Sequence, residues 1–241
     1  GIGFLTWGDV REHKWHLSAY CLQTKLVLTV TALLILLPAL FFLFYEFRLP
    51  QWQSLTEGEK VLGAVFQSVT PRTAGYNTVD LTLLSEPSQL IITLLMLIGG
   101  SPGSTAGGFK VTTAAVFFLA ARAVFRRRED LQSFGRRLPV ETLRSASAIL
   151  LMYVGLFLLG GMAISCVEGV PLLAALFETA SAIGTVGLTL GLTPELEGIS
   201  RMILIFLMYF GRVGGLTLIY AVLPDSAAVP AQMPQERINV G

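Results

Sequence analysis

Long apolar segments alternate with short polar segments along this chain of 241 residues. Several of the apolar segments approach the roughly 20 residues that a helix needs to cross a lipid bilayer. The clearest of them are 26–45, 89–98 continuing through 111–124, 146–167 and 202–223. Two shorter segments, 58–70 and 171–183, are amphipathic and lie between the long ones. The pattern predicts an all-α, polytopic membrane protein with two short re-entrant helices.

The composition agrees with this class of protein. Hydrophobic residues make up 53% of the chain, charged residues only 14%, and the mean hydropathy is +0.67. A soluble domain carries about a quarter charged residues. This chain therefore lacks the polar surface that a globule needs in water.

Positive charge is concentrated in one segment, 122–144, which holds seven arginines against Glu129, Asp130 and Glu141. Short loops rich in arginine and lysine stay on the cytoplasmic side of a membrane, so we predict a cytoplasmic loop here. The segment either only orients the protein or also helps to dock a cytosolic partner. Its composition leaves both roles open.

The polar segments belong to an internal repeat. Placing SVTPRTAGYNTVD (68–80) on SAIGTVGLTLG (181–191), with Thr73 on Thr185, gives an offset of 112 residues. At this offset the matches are Gly75 with Gly187, Met96 with Met208, Gly99 with Gly211 and Gly103 with Gly215. Each copy has an apolar span, a short amphipathic segment, a Thr/Gly motif and a second span, in that order. A search for repeats therefore predicts two equivalent units.

The two Thr/Gly motifs, TAGY and TVGL, contain no carboxylate, histidine or cysteine, so neither suits acid–base chemistry or a transition metal. Each offers successive backbone carbonyls, and glycine permits positive φ angles at little steric cost. Rings of carbonyls replace the hydration shell of a monovalent cation in channel filters. Ordinary turns between helices are the alternative. The candidate filter residues are Thr73, Ala74, Gly75, Tyr76, Thr185, Val186, Gly187 and Leu188.

A second break, GGSPGSTAGGF (99–109), interrupts an apolar span. Its five glycines and one proline disfavour a helix, since each glycine costs roughly 1 kcal/mol and proline roughly 3. The break is either a packed kink or a mobile loop that obstructs a pore. Arg212 lies in an apolar run, where a charge needs water or a partner. It either forms a structural ion pair with a carboxylate outside this chain or is an electrostatic barrier near the loop. The candidate gate residues are Gly99, Gly100, Pro102, Gly103, Gly107, Gly108, Lys110 and Arg212.

Four motifs together resemble signatures of the Trk/Ktr/HKT superfamily of cation transporters, with the greatest likeness to the bacterial KtrB potassium-uptake membrane subunit. The motifs are SVTPRTAGYNTVD, GGSPGSTAGGFK, GTVGLTLGLTPEL and FGRVGGLT. Members of this superfamily have four potassium-channel-like M1–pore helix–M2 units arranged pseudo-symmetrically around one pore. The resemblance implies that Gly75 and Gly187 are filter glycines, that 99–109 is an intramembrane gating loop, and that Arg212 faces the pore.

The resemblance also implies a division of the chain. The parts are 1–16, the end of a preceding M2 helix and a cytoplasmic link; 17–125, a third unit; 126–141, a cytoplasmic loop; 142–224, a fourth unit; and 225–241, a cytoplasmic C-terminal tail. The sequence begins without Met, and IGFLT (2–6) resembles VGGLT (213–217). We therefore expect the C-terminal half of a longer protein.

The implied function is potassium uptake across a bacterial cell membrane, without enzyme activity. A membrane enzyme would need a convergent set of catalytic or metal-binding groups, and the chain has only two histidines and two cysteines. Potassium is the expected ion, with sodium as the alternative and no organic cofactor. The alternative reading is a sodium-selective transporter or a sodium-dependent potassium symport. Neither filter motif ends in Tyr-Gly, so we expect looser selectivity than in a channel with four identical strands.

The resemblance further implies partners. A KtrB-type subunit forms a homodimer in the lipid bilayer and binds a cytosolic, nucleotide-binding ring of KtrA/TrkA-like subunits. The chain itself has no GxGxxG or P-loop motif, so nucleotide control would come from that ring. We expect no binding to nucleic acid.

Several single residues carry smaller predictions. We expect Arg72 to anchor its loop by hydrogen bonds from outside the pore axis, and Glu178 to make an interior hydrogen bond behind the filter. Cys21 and Cys166 are expected to be buried and unpaired. Glu57, Glu59 and Asp80 either attract cations or are solvated loop charges.

Overall fold

The computed structural model describes residues 1–128 and 130–214, which contain eight α-helices and one two-stranded sheet. The helices are α1 (Phe4–His13), α2 (Leu22–Phe44), α3 (Glu57–Val69), α4 (Glu86–Leu97), α5 (Val111–Phe125), α6 (Val140–Glu168), α7 (Leu172–Ile183) and α8 (Gly198–Val213). The strands are β1 (Leu131–Ser133) and β2 (Arg136–Leu138). A long helix followed by a short one and then by a return helix occurs twice, as α2–α3–α4 and as α6–α7–α8.

In the part of the chain that the structure describes, two helices are long and apolar enough to cross a membrane, Leu22–Arg48 with a mean hydropathy of 2.8 and Val140–Glu168 with 2.2. The predicted span 89–124 is divided between α4 and α5. The predicted span 202–223 begins in α8, and its residues from 215 onward lie outside the described part. The predicted tail and Gly215 of the repeat also lie outside it.

The short helix α3 starts at a strong sequence signal. Thr56 accepts a hydrogen bond from the backbone N–H of Glu59, and the Glu59 carboxylate accepts one from the backbone N–H of Thr56 at 2.8 Å. This reciprocal capping box satisfies two donors that a helix start leaves free. It fixes α3 at the amphipathic segment that the sequence indicated. The predicted cation attraction by Glu59 is therefore not needed to explain the residue.

A buried carboxylate ties the end of α2 to the start of α4. Glu46 is fully buried and accepts hydrogen bonds from the indole Nε1 of Trp52 at 2.9 Å and the hydroxyls of Ser85 and Ser88 at 2.5 and 2.6 Å. A buried carboxylate is tolerated when its lone pairs are occupied in this way. In the second half of the chain, Glu168 at the end of α6 accepts from the backbone N–H of Glu197 at 2.9 Å.

The core centres on α7, which packs against α4, α6 and α8. Phe177, Ala180 and Ile183 of α7 are fully buried, and so are Ile92 and Met96 of α4. This contact joins the two halves of the described chain. It also places the end of α7 beside the point where α4 ends.

The helix α4 stops at Leu97 and the next helix starts at Val111, as the glycine content predicted. The two edges of the intervening loop meet, because the backbone N–H of Gly99 donates to the carbonyl of Phe109 at 2.9 Å and Ile98 forms an isolated bridge with Phe109. The predicted break in this span is confirmed. Its role as a gate stays a prediction.

The arginine-rich segment contains a small antiparallel hairpin that the sequence pattern did not indicate. Leu131 pairs with Leu138, and the turn uses positive φ angles at Phe134 (48°) and Gly135 (73°). Leu131 packs into a satellite cluster with Leu26 of α2 and Ala115 and Leu119 of α5. The hairpin is therefore docked on the helices.

The prediction for the cysteines is half right. Cys21 and Cys166 are unpaired, as expected, but both are exposed. Cys21 caps the start of α2, where its Sγ accepts from the backbone N–H of Thr24, and Cys166 lies near the end of α6. Positions at helix ends on the outer surface of the bundle keep both thiols out of the core.

We predict that replacing Glu46 with methionine destabilises the protein by about 2–4 kcal/mol, because the Trp52 indole, the Ser88 hydroxyl and both donors of the half-buried Ser85 lose their acceptor. Glu168→Met is the matched control and should cost less than about 1.5 kcal/mol, since one backbone donor near solvent is affected. Thermal unfolding of both variants in the same detergent compares them. Equal losses would show that the Glu46 network does not tie the helices together.

Candidate functional site

The two Thr/Gly segments, 73–76 and 185–188, share an uncommon backbone pattern. Thr73 and Gly75 have φ angles of 61° and 74°, and Thr185 and Gly187 have 52° and 92°. A positive φ is rare for any residue except glycine and is an outlier for a β-branched one such as threonine. Such strain persists only where surrounding contacts impose it, and it concentrates at functional sites. A backbone in which positive and negative φ alternate permits successive carbonyls to face one side.

A hydroxyl at the end of each short helix holds the Thr/Gly segment that follows. Thr70 accepts from the backbone N–H of Tyr76 at 3.0 Å and donates to the carbonyl of Tyr76 at 2.6 Å. Ser181 accepts from the backbone N–H of Gly187 at 3.1 Å. Sequence reasoning missed both hydroxyls. The repeat itself could have found them, since they match when the one-residue slip upstream of the motif is applied.

The two segments also touch each other. A Cβ atom on Gly75 would lie 2.0 Å from the carbonyl oxygen of Val186, so only glycine allows this approach. A Cβ atom on Gly187 would meet nothing within 4 Å. The first segment is therefore packed against the second, while the second has one open side.

Glu178 holds the chain that follows the second Thr/Gly segment. Its side chain is 2% exposed and accepts hydrogen bonds from the Thr189 hydroxyl at 2.7 Å, the Leu190 backbone N–H at 3.0 Å and the Thr193 hydroxyl. The predicted interior hydrogen bond is confirmed. The matching position in the first copy is Gln67, which is buried and whose side-chain atoms have no hydrogen-bond partner among the described residues.

The prediction for Arg72 is wrong in the described part of the chain. Its Nε is buried without a hydrogen-bond partner there. The turn that follows α3 is closed by backbone bonds, because the N–H groups of Ala74 and Gly75 both donate to the carbonyl of Thr70 at 3.1 Å. The loop therefore needs no anchor from the Arg72 side chain.

The glycine-rich loop, 99–109, lies directly against the second Thr/Gly segment. A Cβ atom on Gly107 would be 2.3 Å from the Thr185 hydroxyl oxygen and 2.9 Å from the Gly184 carbonyl oxygen. This contact requires glycine for close approach rather than for flexibility. Gly108 follows with a positive φ of 69°, and its neighbour Phe109 closes the loop onto Gly99.

The first residues of the chain bind residues 101–103 of the glycine-rich loop through backbone hydrogen bonds. The backbone N–H of Ser101 donates to the carbonyl of Gly1 at 2.8 Å, and the N–H of Phe4 donates to the carbonyl of Gly103 at 3.1 Å. Gly100 and Pro102 lie within this contact region, since Cβ atoms on Gly100 and Gly3 would approach Gly1 and Pro102 respectively.

Two cationic side chains bind carbonyls of the same loop. Arg212 of α8 donates to the carbonyl of Thr105 at 2.5 Å, and Lys110 donates to the carbonyl of Ala106 at 2.5 Å. Among the described residues Arg212 has no carboxylate partner. An ion pair with a carboxylate outside this chain stays a prediction. The candidate gate residues thus form one connected group.

A cavity of about 600 Å³ extends along the open side of the second Thr/Gly segment. Its wall runs from Glu178 and Thr193, past Thr185 and Gly187, to Arg212. One cavity therefore joins the Thr/Gly segment to the arginine at the loop. Within residues 1–128 and 130–214, no three His, Cys, Asp or Glu side chains are grouped so that they could share a metal ion.

Local contacts account for the remaining outer carboxylates. Glu57 forms an ion pair with Lys60 at 2.8 Å. Hydrogen bonds from the hydroxyl and backbone N–H of Thr82 hold the pKa of Asp80 below its ordinary value. These contacts give both carboxylates local partners. The two alternatives, cation attraction and solvated loop charges, stay predictions.

With this geometry established, comparison with known proteins gives the class. A family model described as "TrkH: Cation transport protein" matches residues 12–229. The chain belongs to the TrkH family of cation transport proteins. The predicted membership of the Trk/Ktr superfamily is confirmed.

Individual relatives show which members of the family the chain is similar to. A "Ktr system potassium uptake protein B" of Vibrio alginolyticus is 40% identical over 245 residues, which cover 100% of this chain and 53% of that protein. A "Potassium/sodium uptake protein NtpJ" of Enterococcus hirae is 35% identical over 247 residues, covering 100% and 54%. The chain thus spans about half the length of these curated relatives.

A solved structure shares the fold. The crystal structure of the potassium transporter TrkH from Vibrio parahaemolyticus matches with a TM-score of 0.73 and 22% identity, covering 92% of this chain and 49% of that one. The predicted helical membrane-transporter fold is confirmed at this level.

We predict that Glu178→Met changes ion selection whereas Gln67→Met does not, because only Glu178 holds the chain after its Thr/Gly segment. Loss of these hydrogen bonds, each worth about 1.5–3 kcal/mol when the acceptor is charged, should raise the half-saturating rubidium concentration roughly tenfold or more. Competition between rubidium and sodium, measured for both variants in the full-length protein, decides this. The same response from both would mean that the hydrogen bonds of Glu178 have no role in ion selection.

Proposed function

We propose that this chain contributes to the ion-translocating subunit of a potassium-uptake system, in which potassium sheds its water on carbonyls of residues 73–76 and 185–188. The observation that carries the proposal is the paired positive φ at Thr73 and Gly75 and at Thr185 and Gly187. Backbone of this kind at membrane depth is tolerated where it lines a wet path or is buried in protein. Carbonyl rings suit a weakly hydrated monovalent cation.

We propose further that 17–125 and 142–224 are two M1–pore helix–M2 units of a pseudo-symmetric pore. The repeated order of helices supports this arrangement. Further support comes from the hydroxyls of Thr70 and Ser181, each of which accepts a hydrogen bond from the backbone N–H six residues ahead, in the Thr/Gly segment that follows.

The glycine-rich loop is the proposed gate. It packs against Thr185 through Gly107, and its carbonyls are held by Arg212 and Lys110. Two cations next to a potassium path repel the ion, so conduction requires the loop and these side chains to move aside. The position of the loop at a break in a membrane span supports a movable element rather than a rigid kink.

The proposed setting is a bacterial plasma membrane. Two curated relatives are named as potassium uptake proteins B of a Ktr system, which supports a membrane subunit that works with other components. A homodimer and a KtrA/TrkA-like nucleotide-binding ring are the partners we propose. We propose the exposed, arginine-rich hairpin as a docking surface for such a ring, because its exposure and charge support that role.

Sodium transport or sodium dependence is the second candidate. One relative carries both potassium and sodium in its name. The two Thr/Gly segments are also held differently, with Glu178 behind one and the unpartnered Gln67 behind the other. Unequal segments favour weaker discrimination between the two ions.

Rubidium uptake by potassium-uptake-deficient cells that express the full-length protein and its cytosolic partner tests the function. We expect saturable uptake by the wild type, and reduced preference for rubidium over sodium in Gly75→Ser and Gly187→Ser. Gly58→Ser is the control, because a Cβ atom at Gly58 meets nothing within 4 Å. Uptake with unaltered selectivity in both variants would refute the filter, and no cation flux from well-expressed protein would refute transport.

The gate predicts a separate result. Arg212→Gln should raise uptake measured without the regulatory partner by severalfold, because the loop loses the cation that holds Thr105. Arg201→Gln on the same helix is the control, since Arg201 bonds only the Pro194 carbonyl. Unchanged uptake in Arg212→Gln at equal expression would count against the gate.

A further inference from the structure

A shallow pocket rich in arginine lies at the inner end of α5, away from the candidate filter. Arg122, Arg126 and Arg128 line it, together with Asp130 and Gln132. All three arginine side chains are exposed to solvent. Neither the proposed filter nor the proposed gate uses this pocket.

The fold itself gathers these arginines. After α5 the chain reverses, with Arg127 at a φ of 51° and the backbone N–H of Arg128 bonded to the carbonyl of Ala123 at 2.9 Å. The hairpin then returns against α5, where Leu131 is buried. The pocket is therefore a built feature of the helix end and the docked hairpin, and not a chance meeting of extended side chains.

Among the described residues, the side chains that line the pocket carry more positive than negative charge. None of the three arginines has an ion pair or a side-chain hydrogen bond with another described residue. Asp130, the described carboxylate in the lining, is bound from outside the pocket by Arg137 at 3.1 Å. A guanidinium presents a planar fork of donors that matches the oxygens of a phosphate. The charge therefore suits a phosphate group.

The depth of the pocket in the membrane identifies the kind of phosphate. The helices α4 and α5 contain 12 and 15 residues, so at 1.5 Å per residue they rise about 18 and 22 Å. Two helices of these lengths laid end to end span more than the roughly 30 Å of hydrocarbon in a bilayer. The positive-inside rule assigns the arginine-rich loop after α5 to the cytoplasm, so we place the last turn of α5 at the level of the inner headgroups.

The surface beside the pocket is apolar. Phe118 and Phe125 are 72% and 86% exposed, and they share a face of α5 with Arg122, because residues three, four and seven positions apart align on a helix. One face thus presents two aromatic rings and a guanidinium in sequence. Phe118 lies one turn before Arg122, on the membrane side of it, so a lipid held by its headgroup at Arg122 has acyl chains that cover this ring, which a free phosphate lacks.

We propose that this pocket binds the phosphate of an anionic phospholipid in the inner leaflet. The lipid headgroup contacts Arg122, Arg126 and Arg128, and its acyl chains lie along Phe118. The site is independent of the ion path. It fixes the position of the hairpin, and with it the cytoplasmic end of α5, relative to the membrane surface.

A matched pair of variants tests the site in the purified full-length protein. The site variant is Arg122→Gln/Arg126→Gln/Arg128→Gln, and the control is Arg127→Gln/Arg136→Gln/Arg144→Gln, which removes the same charge from exposed positions that do not line the pocket. Native mass spectrometry in detergent measures the binding of phosphatidylglycerol and, for comparison, phosphatidylcholine. The thermal unfolding midpoint is recorded for each variant without lipid to check folding.

We expect phosphatidylglycerol to bind the wild type saturably and in preference to phosphatidylcholine. The site variant should bind it at least about tenfold more weakly than the control variant, because three charge-assisted contacts are lost. The single variant Arg122→Lys keeps the charge but loses the fork of donors. It should bind with intermediate affinity and, as one conservative change, keeps the test valid if the triple variant does not fold.

Three outcomes would overturn the proposal. Wild-type protein that does not distinguish the two lipids has no anionic headgroup site. Equal weakening in the site and control variants would mean that general surface charge attracts the lipid. Displacement of phosphatidylglycerol by an equal concentration of inorganic phosphate would assign the pocket to a soluble anion.

Discussion

Backbone groups that leave helical geometry at membrane depth must find partners inside the protein, because lipid supplies none. The arrangement of this chain follows from that requirement. The turn after α3 closes on Thr70, the turn after α7 is held by Ser181, and the glycine-rich loop is closed by the bond between Gly99 and Phe109. The long apolar helices α2 and α6 are continuous and contain no such irregular segment.

Because of the same requirement the two Thr/Gly segments have similar backbone angles, but different contacts stabilise them. Both use positive φ at a threonine and a glycine. Only the second has a buried carboxylate, Glu178, behind the chain that follows it. The first is wedged against Val186 instead, where no side chain larger than glycine fits. The two segments of one fold are thus stabilised by different local contacts.

Sequence reasoning predicted the features that depend on periodicity and on special backbone residues. The short helices, the break in the span before Val111 and the pairing of Gly75 with Gly187 all follow from the hydrophobic pattern and the repeat. The role of Glu46 could not be predicted this way, because Ser85 and Ser88 reach this carboxylate only after distant segments meet. Thr70 and Ser181 bond six residues ahead and match in the repeat, so closer comparison of the two copies would have found them. The hairpin of the arginine-rich segment was missed because its strands are three residues long and its charges mask the pairing of Leu131 with Leu138. The hydrogen bonds predicted for the Arg72 side chain are not seen among the described residues. Backbone bonds to the carbonyl of Thr70 close that turn instead.

The central claim is that carbonyls of the two Thr/Gly segments coordinate the transported ion. A structure of the full-length protein prepared in rubidium, with anomalous scattering recorded at the rubidium absorption edge, tests it most directly. The account predicts a rubidium peak within direct coordination distance of carbonyl oxygens from both 73–76 and 185–188. Well-occupied rubidium sites elsewhere in the membrane region, with none at these carbonyls, would contradict it.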